Sequence, residues 1–124
     1  MNKLNRIKFR VWDKKRKEMS IAPNYLLSSD GLLFWQFGYE ANLLEQDDFE
    51  VMFFTGLKDK NGKDIYEGDQ IKKGDALFVV EFRDGSFEMI GINIISVVRI
   101  SSAYRDLEVI GNIYENPELL EKII

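Results

Sequence analysis

Apolar and polar positions alternate with a period of two in several short runs of this chain, which is typical of β-strands half-buried in a sheet. In the first run, Ile7–Trp12, apolar side chains alternate with Lys8 and Arg10, so we expect one apolar and one charged face. Asp13–Glu18 is then a charged turn, and Met19–Ile21 can start a returning strand. The chain is therefore predicted to open with two strands joined by a charged turn.

The clearest hairpin in the pattern is Leu77–Gly91. With Asp84 and Gly85 as a two-residue loop, Phe82 lies opposite Phe87 and the apolar side chains of both strands share one face. Because register and hydrophobic pattern agree, we predict two core strands here.

The run Thr55–Lys73 contains three glycines and an Asn-Gly pair at residues 61 and 62. An Asn-Gly loop is a strong hairpin signal, but simple pairing around it would place like charges opposite each other, which is unfavourable. We therefore expect a solvated turn over Lys58–Asp64. A second turn is expected just before a strand that begins at Gln70.

The C-terminal part is predicted to contain two more strands and a helix. Ile92–Ile100 is rich in β-branched apolar residues and predicts a core strand, and Leu107–Tyr114 predicts a final strand with a bulge at Gly111. Asn116 as the N-cap and Pro117 at the first helical position predict a short C-terminal helix.

The whole pattern predicts about seven to nine short strands, and closely spaced strands with glycine-rich turns favour a sandwich or barrel. Tyr39–Glu50 is ambiguous, since it fits either one helical turn or a strand rim. At 124 residues the chain is expected to form a single domain, residues 1–124. A soft internal boundary is expected near residues 40–48 and a barrel core at about residues 51–116.

Composition narrows the chemistry, because the chain has no cysteine and no histidine. Disulfides, thiolate zinc sites and imidazole catalysis are excluded, and a metal would need an all-oxygen site. Asp59–Asp64 resembles a calcium loop only in part, because Lys63 and Asp64 stand where an oxygen ligand and a glycine are required. We predict no metal, no cofactor and no catalytic residue, and hence no enzymatic activity.

Paired carboxylates are the remaining candidates for acid–base chemistry. Glu81 is expected opposite Glu88 in the hairpin, with Arg83 diagonal to Glu88, and Asp64 with Asp69 is the second pair. An exposed strand face on which Arg83 offsets the repulsion explains the glutamate pair without any catalytic role.

The net charge is −4, but it is unevenly distributed. Residues 1–20 carry eight Lys or Arg and two acidic residues, a net charge of +6, so the remainder carries −10. A basic segment suits a nucleic-acid backbone, but it also fits a solvated strand face, or a contact between basic and acidic surfaces of two subunits. The candidate residues for contact with nucleic acid or a partner are Lys8, Arg10, Lys14, Lys15, Arg16 and Lys17.

Stacking on single-stranded bases would also need exposed aromatic side chains beside the basic residues. The candidates for such a platform are Trp12, Phe34, Trp35, Tyr39 and Tyr104. With aromatic residues at 13% of the chain, we expect most of them to serve the core instead.

The location expected from the pattern is the cytoplasm. The chain is charged from Lys3 onward and shows no apolar signal segment. Apolar runs such as Leu77–Val80 are far too short to span a bilayer, so no membrane association is predicted.

Three further blocks of the sequence are distinctive, namely Ile7–Asp13 at the start, Phe54–Asp59 with Ile65–Asp69 in the middle, and Val109–Glu118 at the end. Together and in this order they resemble the YopX family of phage and prophage proteins. The resemblance implies a protein carried by bacteriophages or prophages, an SH3-type β-barrel in the C-terminal part, and self-association. It implies no established activity, cofactor or catalytic residue.

The fold class expected is thus mainly β, with an SH3-type small barrel, extra N-terminal strands and a short C-terminal helix. The function expected is a non-enzymatic binding or assembly module that self-associates in the bacterial host cell, with a host or phage protein as a further partner. The alternative is a nucleic-acid-binding small barrel that uses the basic N-terminal strand and turn.

Overall fold

The protein is mainly β, as the alternating pattern predicts. The structure is a computed structural model that describes residues 7–101 and 104–123. It divides into a small unit of residues 9–52 and a large unit made of the remaining described residues. One border lies at residues 52 and 53, just beyond the predicted soft boundary near residues 40–48. The prediction of a single domain over residues 1–124 stays a prediction.

The small unit is built from short antiparallel strands. Its elements are β1 (Phe9–Asp13), β2 (Glu18–Ser20), β3 (Tyr25–Leu27), β4 (Leu33–Phe37), β5 (Glu40–Leu43), a 3-10 helix (Gln46–Asp48) and the beginning of β6 (Phe49–Lys58). β1 pairs with β2, and β3, β4 and β5 form a three-stranded sheet in that order. The ambiguous segment 39–50 therefore holds a strand, a single 3-10 turn and the start of β6.

The large unit contains a five-stranded antiparallel sheet. Its elements are the remainder of β6, then β7 (Asp64–Tyr66), β8 (Asp69–Lys73), β9 (Ala76–Arg83), β10 (Ser86–Gly91), β11 (Val97–Arg99), β12 (Glu108–Asn112) and a 3-10 helix (Pro117–Ile123). The strand order is β11-β10-β9-β8-β12, and the sheet curls into a half-barrel. β7 pairs with the second part of β6.

The predicted Leu77–Gly91 hairpin is confirmed in its register. Phe87 lies opposite Phe82 and Glu88 opposite Glu81, and the two phenyl rings are 5.0 Å apart between centroids. One face of the sheet packs against residues from β7 and from the segments next to β11 and β12. The buried members of this core are Ile65, Ile71, Phe78, Val80, Met89, Ile100 and Leu107.

The prediction of a core strand over Ile92–Ile100 is wrong for its first half. Ile95 is fully exposed and Ile94 is about half exposed, and the strand is confined to β11. The cause is Asn93, whose side-chain oxygen accepts the Leu77 N–H at 2.8 Å while its amide donates to the Asp75 carbonyl at 2.9 Å. These bonds hold the chain in a loop that β-branched composition alone does not reveal.

The first strand departs from simple alternation. Arg10, Val11 and Trp12 are all buried, so both faces of β1 are covered, whereas Ile7 is 70% exposed. The charged face predicted for this strand is therefore absent at Arg10.

The C-terminal segment confirms the bulge and corrects the cap predicted at Asn116. The register between β12 and β8 shifts between Val109 and Gly111, and a Cβ at Gly111 would lie 2.7 Å from the Asn116 side-chain oxygen. That oxygen accepts the Asn112 N–H instead of capping a helix. The residues after it, Pro117–Ile123, form a short 3-10 helix.

The turn at residues 59–63 is organised by the buried carboxylate of Asp59. One oxygen accepts the N–H groups of Asn61 and Lys63, each at 2.9 Å, and the other accepts the N–H of Val109 at 3.0 Å. Burial raises the pKa of Asp59, but the backbone donors and the nearby Lys63 charge outweigh it and hold the pKa below its usual value. The solvated turn predicted for Lys58–Asp64 is thus tied to β12.

We expect Asp59→Asn to lower the free energy of unfolding by about 1–3 kcal/mol at neutral pH, because an amide N–H replaces one needed acceptor. A carboxyl group whose pKa is depressed on folding stabilises the protein above its unfolded pKa of about 3.9, and this contribution is lost as pH falls through the lower folded value. The parent should therefore lose more stability than the variant on acidification below about pH 4. Urea unfolding at several pH values measures both effects. Asp75→Asn, at an exposed position, is the matched control, and equal stability and equal pH dependence in parent and variant would contradict the role.

Gln70 is a buried polar residue in the large unit. Its side chain is fully buried in β8, and neither amide atom has a hydrogen-bond partner among the described residues. By contrast, the amide of Gln46 binds the N–H and carbonyl of Leu33 and the carbonyl of Leu44. A buried amide without partners costs folding free energy, whereas a satisfied one does not.

Gln70→Met should therefore raise the free energy of unfolding, by about 1–3 kcal/mol, because it removes the unsatisfied amide at similar volume. Gln46→Met should lower it, because the Leu33 main chain would lose its partners. Chemical denaturation of both variants tests the contrast. A loss of stability in Gln70→Met would show that its amide has a partner in solution.

Candidate binding groove

The small unit contains an open groove with a volume of about 480 Å³. The turn between β1 and β2, the β3–β5 sheet and the start of β6 line it. We call this feature the aromatic groove, and its lining comprises three aromatic side chains (Tyr25, Trp35, Phe49), five charged ones (Asp13, Lys15, Arg16, Glu18, Asp48) and Ser20, Asn42 and Leu44.

Strand register brings the aromatic side chains to one face. Tyr25 lies opposite Trp35 across β3 and β4, and Trp35 lies opposite Asn42 across β4 and β5, so their side chains point the same way. The Tyr25 and Trp35 rings are 4.9 Å apart at 79°, and the Tyr25 and Phe49 rings 6.1 Å apart at 68°. Both pairs have the edge-to-face geometry that aromatic rings favour.

The charged rim is shaped by Asp13 at the end of β1. One carboxylate oxygen accepts the N–H groups of Lys15 and Arg16, each at 3.0 Å, and the Asp13 carbonyl accepts the Lys17 N–H at 2.7 Å. This Asx-type turn directs the side chains of Lys15 and Arg16 toward the aromatic groove. Lys17 adopts a positive φ of 56° to close it.

The cations of the rim already have partners. Lys15 lies 3.1 Å from the Asp48 carboxylate, and the Arg16 Nε lies 3.9 Å from that of Asp13. Glu18 is exposed and forms no ion pair with any residue that the structure describes. The aromatic groove therefore has three carboxylates against two cations and carries a net charge of −1.

Tyr25 stands between the rings and this rim. Burial raises the pKa of Tyr25, and the negative charges of Asp13 and Glu18 raise it further against the opposing Arg16. The phenol is therefore neutral at physiological pH and keeps its hydroxyl proton for donation.

The six basic residues predicted as contact candidates do not form one patch. Lys8 lies in the large unit, where its Nζ binds Asp64 at 2.7 Å and sits 4.4 Å from the centre of the Phe54 ring. The hydrogen bond to Asp64 raises the pKa of Lys8. Arg10 is buried in β1.

The other four candidates do share the turn between β1 and β2. Lys14 donates to the Asp47 carbonyl at 2.9 Å and pairs with Glu50 at 3.0 Å. Lys15 and Arg16 line the aromatic groove, and Lys17 is exposed. Acidic residues from segment 47–50 thus neutralise much of a turn that looks strongly basic in the sequence.

Only one member of the predicted aromatic platform reaches the aromatic groove. Trp12 is buried, Phe34 faces the side of β4 opposite to Trp35, and Tyr39 is fully exposed at a hairpin tip. Tyr104 lies in the large unit beside Lys73. Sequence reasoning missed Tyr25, although a hairpin closed by the Asp30-Gly31 turn would have placed it opposite Trp35. It also missed Phe49, which approaches Tyr25 from the distant strand β6.

Most of the other candidate carboxylates have partners within the fold. Arg83 binds Glu88 at 2.9 Å, as predicted for an exposed pair opposite Glu81. Both carboxylate oxygens of Asp59 are used by backbone N–H groups, so they are not directed at a cation. Over residues 7–101 and 104–123, no cluster of three or more acidic side chains could hold a metal ion.

The described residues contain no helix that is both long and apolar enough to cross a membrane. The fold is that of a mainly antiparallel β protein, with short antiparallel strands in the small unit and a curled sheet in the large unit. The chain belongs to the YopX family, whose model, described as YopX protein, matches residues 8–121.

Two solved structures resemble this chain over nearly its full length. Protein EF1440 from Enterococcus faecalis shares 31% identity with a TM-score of 0.65, over 92% of this chain and 97% of that one. Protein yopX from Bacillus subtilis shares 24% identity with a TM-score of 0.62, over 90% and 95% of the two chains. The similarity to the Bacillus subtilis protein shows a shared fold and nothing further. The comparison with curated proteins found no match.

Proposed function

We propose that this protein is a non-enzymatic binding and assembly module that pairs with a second copy through the free edge of β5. The proposal rests on the edge itself. β5 ends the three-stranded sheet, and all four of its residues are exposed. Unpaired main-chain groups on such an edge are a template for another strand.

The alternation of hydrogen bonds along β5 shows which of its main-chain N–H and C=O groups are unpaired. Leu44 donates to the Leu33 carbonyl at 3.1 Å, and in an antiparallel ladder the bonded residues alternate. Residues 40, 42 and 44 therefore face β4, and the N–H and C=O groups of Ala41 and Leu43 point away from it.

This edge lacks the usual protection against pairing. It contains no lysine, proline or bulge, and its single charge is Glu40 at one end. Leu43 is 60% exposed, and a strand paired at this edge would cover part of its side chain.

Two β5 strands fit together about a two-fold axis through Asn42. In that register Ala41 of one copy lies opposite Leu43 of the other, and four main-chain hydrogen bonds form. Glu40 then faces Leu44, so no like charges stand opposite each other. The result is a continuous six-stranded sheet.

We further infer that the five-stranded sheet is an SH3-type barrel. Its order β12-β8-β9-β10-β11 supports this, because SH3-type barrels also place the last strand beside the first. The family and its bacterial relatives support a phage or prophage origin, the bacterial cytoplasm as location, and a host or phage protein as an additional partner.

Self-association can be measured by size-exclusion chromatography with light scattering. The parent should show twice the 14.5 kDa chain mass. Ala41→Pro, which removes an outward N–H, and Leu43→Lys should each shift the protein to monomer at the same concentration. Ile95→Lys changes a fully exposed apolar residue of the large unit and should leave the mass unchanged. A parent that is monomeric at every salt and protein concentration would refute the proposal.

Nucleic-acid binding is the second candidate function. The observation that favours it is the position of Lys15 and Arg16 beside the Tyr25 and Trp35 rings, a combination that suits single-stranded bases. The ion pairs of three of the turn's four cations weigh against it.

If this function holds, changing the four turn residues Lys14–Lys17 together to serine should lower both the affinity for oligo(dT) and the dependence of that affinity on salt. Fluorescence anisotropy at several salt concentrations measures both quantities. The matched control changes four lysines of the large unit to serine, and these are Lys58, Lys60, Lys63 and Lys72. Absence of salt-sensitive binding by the parent would remove this candidate.

A further inference from the structure

We propose that the aromatic groove binds an arginine side chain of a partner polypeptide. This inference deepens the binding function proposed above by naming the partner's chemistry. The lining of the aromatic groove includes one residue of β5, Asn42, but the inference does not use the main-chain edge of that strand, so the two ideas can fail separately.

The first argument is the arrangement of the rings. The Tyr25 ring lies at 79° to Trp35 and at 68° to Phe49, so the three rings line the aromatic groove in different orientations. The face of an aromatic ring is negative and attracts cations, with tryptophan the strongest. A planar guanidinium can stack on such a face, whereas a compact, strongly hydrated ammonium matches it less well.

The second argument is the charge that remains after internal pairing. Lys15 and Arg16 are engaged with Asp48 and Asp13, which leaves Glu18 as an exposed carboxylate on the rim. A carboxylate can accept two parallel N–H donors from one guanidinium. An anionic ligand would instead meet the negative charge of the aromatic groove.

The third argument is size and polarity. The volume of about 480 Å³ lies within the range of roughly 300–1,000 Å³ that is common for ligand sites. It has room for one long side chain and part of its main chain. Asn42, exposed on the rim, carries an amide that can bind a peptide group.

The aliphatic stem and the guanidinium have separate complements in this arrangement. Leu44 and the Phe49 ring are apolar, while Glu18 and the Tyr25 hydroxyl lie toward the charged rim. Arginine has both an apolar stem and a polar head. A partner segment that presents arginine in extended form therefore fits the aromatic groove better than an acidic or purely apolar one.

The test uses the full chain and the pentapeptide acetyl-Gly-Ser-Arg-Ser-Gly-amide. The chain has two tryptophans, and Trp12 is buried in β1 while Trp35 lines the aromatic groove. In ¹H–¹⁵N spectra the Trp35 indole signal should shift on titration, and that of Trp12 should not. The same peptide with neutral citrulline in place of arginine should bind about tenfold more weakly, since it keeps the shape and loses the charge.

Glu18→Gln should weaken binding of the arginine peptide about tenfold and bring it close to the citrulline peptide. Glu45→Gln removes the same charge at an exposed residue outside the aromatic groove and should leave the affinity unchanged. Trp35→Phe retains an aromatic ring and should weaken binding less than Trp35→Leu does.

Three outcomes would each overturn the proposal: equal affinity for the arginine and citrulline peptides, no shift of the Trp35 signal, or stronger binding of oligo(dT) than of the arginine peptide.

Repeating the titration with Leu43→Lys separates the arginine site from the pairing of β5 edges. Arginine binding by a monomeric parent would refute edge pairing alone, and a dimer without arginine binding would refute the groove ligand alone.

Discussion

The carboxylate of Asp59 joins two segments that lie 50 residues apart in the chain. It accepts the N–H groups of Asn61 and Lys63, which shapes the turn, and that of Val109, which attaches the turn to β12. The next strand, β7, begins directly after this turn and places Ile65 in the core. A single buried carboxylate that accepts three hydrogen bonds thus positions β7, whose Ile65 packs against the curled sheet.

In the small unit, a carboxylate at the surface also shapes a turn by accepting backbone N–H groups. Asp13 accepts two backbone N–H groups and bends the chain between β1 and β2. The consequence differs, because this turn projects side chains and not a core strand. Lys15 and Arg16 reach the aromatic groove, and acidic residues of the 47–50 segment approach them. The positive charge of the turn at residues 14–17 is therefore largely balanced by nearby carboxylates, and this basic stretch becomes the rim of a slightly acidic groove.

Local patterns predicted those elements whose partners lie close in the chain. The hairpin of β9 and β10 has the expected register because its loop, its alternation and its apolar face all agree. The bulge at Gly111 was foreseen from a glycine inside a strand pattern. The prediction of a core strand over Ile92–Ile100 was wrong in its first half because the Asn93 side chain bonds to the 75–77 segment and holds the chain in a loop. The composition of the segment does not reveal such bonds.

The sequence by itself determined the mainly β fold class, the family, most of the turns and the chemistry that absent cysteine and histidine exclude. Only the tertiary structure decided what those turns surround. Tyr25 and Trp35 meet across the local hairpin of β3 and β4, but Phe49 reaches Tyr25 from β6, which is distant in the chain. Short-range periodicity predicts which face of a strand a side chain occupies. It does not predict which distant strand will pack beside that side chain, and a binding groove depends on that packing.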